Sequence, residues 1–251
     1  MTAQDHPTFE QPKNPGVKIW RYMSLAKFLW MLQRGALYFS RSDLMGDPFE
    51  GHYSKVTALS EDSFVAAQMT DPIFAEMGEA VHRRNFRKII SDVKKEKLSL
   101  FVNCWHMNES ESWAMWKLYA SQDEAICVQS TFSALRQLLP DKAFLGTVNY
   151  IDYDREYISV TDAFQYIVYK RKSFEHEREL RAVLWKPISE DVELAGDSGM
   201  IVPIDLNGLI QNIFISPSAN LMFDTVIRGL KSSFKLDAPV HHSRVNEGPE
   251  Y

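Results

Sequence analysis

Residues 18–40 read KIWRYMSLAKFLWMLQRGALYFS, and the order of patterns within them sets the fold class. Lys18 to Met23 has the aromatic and aliphatic content of a short β-strand. Ser24 is placed to cap a helix in which Leu25, Phe28, Leu29 and Leu32 repeat at i, i+3, i+4 and i+7, the mark of one buried face. Gly35 fits the left-handed position after that helix, and Leu37 to Ser40 returns to strand. The loop Arg41 to Gly51 (RSDLMGDPFEG) follows, rich in turn residues.

Beyond this unit, strands and helices alternate without a βαβ cadence. Residues 61–97 are helical in pattern, interrupted at Asp71-Pro72, and Leu98–Trp105 reads as strand. Glu109–Tyr119 is helical, as are Thr131–Leu139, residues 160–169 and Ala219–Phe234. Further strands are expected at Ala125–Gln129, Gly146–Ile151, Glu179–Trp185, Met200–Ile204 and Asn212–Ser216, with an edge strand at Val240–Ser243. The pattern predicts an α+β protein with a curved, mostly antiparallel sheet flanked by helices. No linker or repeat divides it, so residues 17–245 are expected to form a single domain. Residues 1–16 offer little to pack and predict a flexible arm, and 246–251 a C-terminal tail.

The chain has 251 residues, 45% hydrophobic and 24% charged, which excludes a disordered or fibrous class. Its net charge of −5 argues against a uniformly basic nucleic-acid binder. One local exception is the helix at 83–97, where Arg83, Arg84, Arg87, Lys88, Lys94, Lys95 and Lys97 face only Asp92 and Glu96. That helix is the candidate surface for an acidic or nucleic-acid partner. The two cysteines, Cys104 and Cys127, form no CxxC pair, and no apolar run approaches the roughly 20 residues that span a bilayer. A soluble, cytoplasmic protein with no membrane partner is expected.

Motifs for a nucleophile elbow, a zinc protease, a Walker phosphate loop and a dinucleotide fingerprint are missing. Chemistry-bearing residues concentrate in four places. Arg21 stands between Trp20 and Tyr22, so strand alternation sends it to the face opposite theirs. Ser40, Arg41 and Ser42 run into Asp47, Pro48, Phe49 and Glu50. Cys104-Trp105-His106 leads to Glu111, Trp113, Trp116 and Tyr119, where Trp113 and Trp116 have the spacing of a core face. Residues 170–181, KRKSFEHERELR, place Glu177 and Glu179 two apart at the opening of an apolar strand. Paired carboxylates there suit acid–base or cation-stabilising chemistry, and Arg181 continues their face to hold one of them.

Taken in order, WRY, LYFSRSDLMGDPFEG, CWHMNESESWAMWKLY, YKRKSFEHERELRAV and ISPSAN resemble the bacterial family catalogued as domain-of-unknown-function family 2971, from Trp20 to Ser243. The layout also resembles the NAD-dependent ADP-ribosyltransferases, which carry an Arg or His on an early strand, a Ser on another and a Glu-x-Glu opening a later one. This second resemblance implies an ADP-ribosyltransferase-like fold and an NAD-consuming transferase or glycohydrolase, with a toxin or antiphage setting by analogy. It implies NAD as the nucleotide substrate and no metal. Arg21, Ser40, Glu177 and Glu179 become the catalytic set. Arg21 would bind the phosphate or ribose side and Ser40 would orient the nicotinamide ribose. Glu179 would hold a ribose hydroxyl and stabilise the departing-group transition state, and Glu177 would activate the acceptor. Arg21, Tyr22, Phe39, Ser42, Trp105, Trp113 and Arg181 become the cofactor-binding set.

Two other classes fit the residues. Asp47, Glu50, Glu109, Glu111, Glu177 and Glu179 could converge with Lys170 and Lys172 in a metal-dependent nuclease or phosphoesterase. Alternatively, the aromatic pocket senses a nucleotide or docks a partner without turnover.

Overall fold

The structure, a computed structural model, describes residues 2–119, 124–162, 164–186 and 198–248. Eleven strands are present among them: β1 Lys18–Ser24, β2 Ala36–Arg41, β3 Leu100–Met107, β4 Ala125–Thr131, β5 Ala143–Thr147, β6 Asn149–Ile151, β7 Tyr169–Arg171, β8 Glu179–Trp185, β9 Gly199–Pro203, β10 Asn212–Ile215 and β11 Val240–His242. Nine of these form one sheet, along the path β11-β10-β4-β1-β3-β2-β9 with β8 and β5 joined through β3. Every pairing in it is antiparallel except β10 with β11. The protein is therefore α+β, with a mostly antiparallel sheet flanked by helices. β6 and β7 pair parallel as a separate ribbon.

The opening unit forms for the reasons its sequence gives. Ser24 Oγ accepts from the Lys27 amide to cap the Leu25–Arg34 helix, and Gly35 ends it at φ 55. Phe28, Met31 and Leu32 face the main core, which Trp105, Ile126, Leu135, Leu180 and Ile213 continue. Alternation along β3 splits the two faces: Phe101 and Trp105 enter this core, and Leu100 and Val102 enter a second one with Phe9, Tyr166 and Val183.

β3 also carries the feature that matters most for function. One edge pairs with β8 from Leu100 to His106. Along its other edge β2 pairs only at Val102 and Phe101, and β1 only at Met107 and His106. Between those two contacts β3 has neither neighbour, and the sheet opens into a cleft walled by β1, β2 and the helix that joins them.

Several expectations are corrected. Of residues 1–16, read as an arm with nothing to pack against, the stretch from Ala3 to Gln11 is docked on the protein. The amides of Ala3 and Gln4 donate to Arg136 and Ala143, Phe9 is 2% exposed, and its ring stacks on Phe144 with centroids 5.2 Å apart. Gly146 makes this docking fit, because a Cβ there would lie 2.7 Å from Phe9 Cα. Gly146→Ala is expected to lose about 1–3 kcal/mol and to free residues 3–11 for limited proteolysis. Protection equal to wild type would contradict the packing. Gly146–Ile151 is not one strand but the end of β5 and all of β6, which join different sheets. The helix expected at 160–169 is a single 3-10 turn, Gln165–Ile167, whose Tyr166 and Ile167 are drawn into the second core. Of the expected tail, residues 249–251 lie outside the described residues. No helix among the described residues is long and apolar enough to cross a membrane.

Candidate functional site

The cleft widens into a cavity of about 810 Å³, within the range of roughly 300–1,000 Å³ for small-molecule sites. Arg21, Tyr22, Ser40, Trp105, Glu177 and Glu179 all line it, although they come from four separate parts of the chain. In register, Trp20, His106 and Glu179 form one row across β1, β3 and β8, so the backbones of β1 and β8 are roughly 10 Å apart there.

Arg21 leaves β1 just where the sheet opens. Its Nη1 donates to the Cys104 carbonyl at 3.3 Å, and its guanidinium lies over the Trp105 ring, 5.8 Å from the centroid. Among the described residues no carboxylate pairs with it. Burial lowers its pKa from the usual guanidinium value, but an arginine remains charged at neutral pH. A half-buried cation facing a cavity without a counter-ion suits an anionic ligand. Burial and the Glu179 charge push the thiol of Cys104, beside it, up to about 12, which favours the neutral thiol over the nucleophilic thiolate.

The carboxylates occupy the opposite wall. Glu177 is not on the strand, as the two-residue spacing suggested. It ends the 3-10 segment Lys172–Glu177, and Arg178 then turns the chain in a left-handed conformation, φ 42, before Glu179 opens β8. That turn folds Glu177 back beside Glu179 and is held by His106, whose Nδ1 donates to the Glu177 carbonyl at 2.6 Å. Lys170, from β7, ties the group together. Its Nζ bonds Glu177 Oε2, lies 2.8 Å from Glu179 Oε1 and lies 3.1 Å from Glu50 Oε1. Arg181 closes the cluster from behind, donating to Glu179 Oε2, to Glu50 Oε1 at 2.8 Å and to the Ile167 carbonyl. The Tyr119 hydroxyl donates to Glu177 Oε1 at 2.9 Å, and the Glu179 amide donates to the Tyr150 hydroxyl at 2.8 Å.

These contacts separate the two acids. Burial, together with the neighbouring Glu179, pushes Glu177 up to about 7. Burial acts on Glu179 in the same direction, but the charges of Arg181 and Lys170 outweigh it and hold this carboxyl well below the usual range. At neutral pH Glu179 is a fixed anion, and Glu177 sits near the point of proton exchange. Two adjacent acids driven apart in this way are the pattern of a charge stabiliser beside an acid–base group.

Four members of the expected cofactor-binding set stand elsewhere. Phe39 is fully buried in the main core, because alternation along β2 sends it there while Ser40 faces the cleft. Ser42 is fully buried and its hydroxyl donates to the Lys97 carbonyl. Trp113 begins its helix and is 55% exposed, while Met115 and Trp116 carry the buried face. Arg181 is fully buried behind Glu179 and does not line the cavity. The acids of the metal-site reading do not gather either. Glu109 is exposed and near Lys18, Glu111 accepts from Trp116 Nε1, and Lys172 reaches out to Glu156. Where Glu50, Glu177 and Glu179 do meet, Lys170 fills the position a cation would take, and no group of acids, His or Cys suited to a metal is found among the described residues.

The basic helix is less of an anion surface than its sequence implied. Arg83 and Arg87 pair with Glu61 and Lys88 with Asp92, while Lys97 is buried on the Glu50 carbonyl. Lys170 and Glu50 stood in two of the four sequence clusters but had a role only in the metal-site reading, and His106 and Tyr119 stood in a third cluster without a role. The signal for Glu50 was Arg181 itself, since the five N–H donors of a guanidinium on an apolar strand outnumber the two oxygens that Glu179 supplies.

No protein-family model matches the chain, so membership of family 2971 is not shown, and no curated protein matches it. Solved structures align along most of its length. Thermus sp. 2.9 DarT in complex with NAD+ is 9% identical over 93% of this chain and 98% of that one, with a TM-score of 0.42. The same protein with carba-NAD+ is 10% identical over 93% and 97%, and with ADP-ribosylated ssDNA 9% identical over 94% and 96%, both with a TM-score of 0.40. TM-scores below 0.5 fix neither fold nor chemistry.

Proposed function

We propose that the cleft binds NAD and breaks the bond between nicotinamide and ribose, so that the protein is an NAD-consuming transferase or glycohydrolase of ADP-ribosyltransferase type. The observation that carries this reading is the buried Glu177–Glu179 pair, one acid raised and the other depressed, opening on the cavity that also holds Arg21, which no carboxylate among the described residues pairs. Cleavage of an N-glycosidic bond builds positive charge on the ribose, and a fixed carboxylate such as Glu179 favours that charge in a site shielded from water. Arg21 answers the diphosphate, Ser40 offers a hydroxyl to the ribose, and Tyr22 and Trp105 supply ring faces. His106 Nε2, buried without a partner among the described residues, gives the cavity wall an acceptor that lacks a donor. Glu177 takes a proton from the acceptor, water in the hydrolytic case.

Titration calorimetry with NAD is expected to show saturable binding. Arg21→Gln should weaken it by about tenfold to a hundredfold, the worth of a charge-assisted contact, with little change in melting temperature because the Arg21 side chain makes a single hydrogen bond among the described residues. Equal affinity in the two proteins would contradict the assignment. A second reading, nucleotide sensing without turnover, is favoured by the two cations that already neutralise the acids. Saturable binding with no free nicotinamide would select it.

A further inference from the structure

Tyr119 ends the Trp113–Tyr119 helix beside the carboxylates and lines the same cavity. Its hydroxyl donates to one oxygen of Glu177, whose other oxygen is held by Lys170, and Lys170 in turn bonds Glu179. The phenol therefore stands where an acceptor hydroxyl stands in a general-base transfer: on the proton-accepting carboxylate, one cation away from the carboxylate that faces the ribose. Packing of the ring does not hold it there. As a whole residue Tyr119 is 48% exposed, and only its hydroxyl end lies against Glu177, while Met115 and Trp116 anchor the helix.

We infer that Tyr119 is itself an acceptor, and that the protein attaches ADP-ribose to this residue as it consumes NAD. The inference rests on the NAD-cleaving reading of the site. The bond between ribose C1′ and the pyridinium nitrogen breaks, and its electron pair leaves with nicotinamide, which becomes neutral. A bond forms between C1′ and Tyr119 Oη, and the phenolic proton passes to the Glu177 carboxylate. Atoms and charge balance with no oxidant or second reactant. Burial and the Glu177 charge raise the phenol above its usual pKa, so the proton leaves as the bond forms and not before.

The full chain incubated with NAD, followed by intact mass and peptide sequencing, is expected to gain one ADP-ribose unit on Tyr119. Tyr119→Phe, checked for an unchanged melting temperature, gains none. An adduct on Tyr119→Phe overturns the inference, as does nicotinamide release from wild type with Tyr119 unmodified. Both of those results leave the NAD-cleaving reading standing. Absence of nicotinamide release from wild type overturns the two together.

Discussion

Glu179→Gln lowers nicotinamide release from NAD by about a thousandfold, the scale on which a preorganised charge in a shielded site acts. The amide keeps the shape of the carboxylate but not the charge that opposes the developing ribose cation. The same change unsettles the cluster, because Glu179 bridges Arg181 and Lys170. A stability loss of about 3 kcal/mol is expected alongside the catalytic one. The two effects separate when release is measured on the folded fraction, with urea unfolding run in parallel. A folded Glu179→Gln protein that still releases nicotinamide at the wild-type rate would remove Glu179 from the chemistry.

Arg181→Met has the largest effect on folding, about 3–5 kcal/mol, a substantial part of the 5–15 kcal/mol typical of a domain. Arg181 is fully buried, and its loss strips Glu50 and Glu179 of the guanidinium they share. The pH dependence should also steepen. In wild type the folded pKa of Glu179 is depressed below its ordinary 4.5, so its contribution is present above that value and lost as pH falls through the folded pKa. Glu177 acts oppositely: with a folded pKa raised to about 7, its contribution is full below 4.5 and lost as pH rises toward 7. In Arg181→Met the buried Glu179 carboxylate is no longer held down, so mild acid restores stability by protonating it. Unfolding midpoints measured between pH 4 and 7 are expected to rise toward acid more steeply in the variant than in wild type. Parallel curves would show that Arg181 does not set the charge of Glu179.

The fold was legible wherever local rules act alone. The cap at Ser24, the periodic face of Phe28 and Leu32 and the stop at Gly35 are short-range effects, and the chain obeys them. Phe9 was misread because the groove that receives it is made by β5, over a hundred residues away, and composition nearby cannot report a distant groove. Half of the candidate site was visible for a similar reason. Arg21 and Glu179 stand out as charges set in apolar strands and Glu177 as a second acid just ahead of one, whereas Glu50 and Lys170 look like ordinary loop and turn residues until the fold brings them together. Phe39 and Ser42 lie near Ser40 in sequence but not in the cleft, because strand alternation and a 3-10 turn send both inward. Glu177 and Glu179 do meet, but through the left-handed turn at Arg178, which no two-residue periodicity contains.

The most direct test of the account is to incubate the purified protein with NAD and follow free nicotinamide by mass spectrometry across pH. Release is expected from wild type, growing as pH rises through about 7 while Glu177 gives up its proton, and nearly none from Glu179→Gln. NAD left intact by the folded wild-type protein at every pH would contradict it.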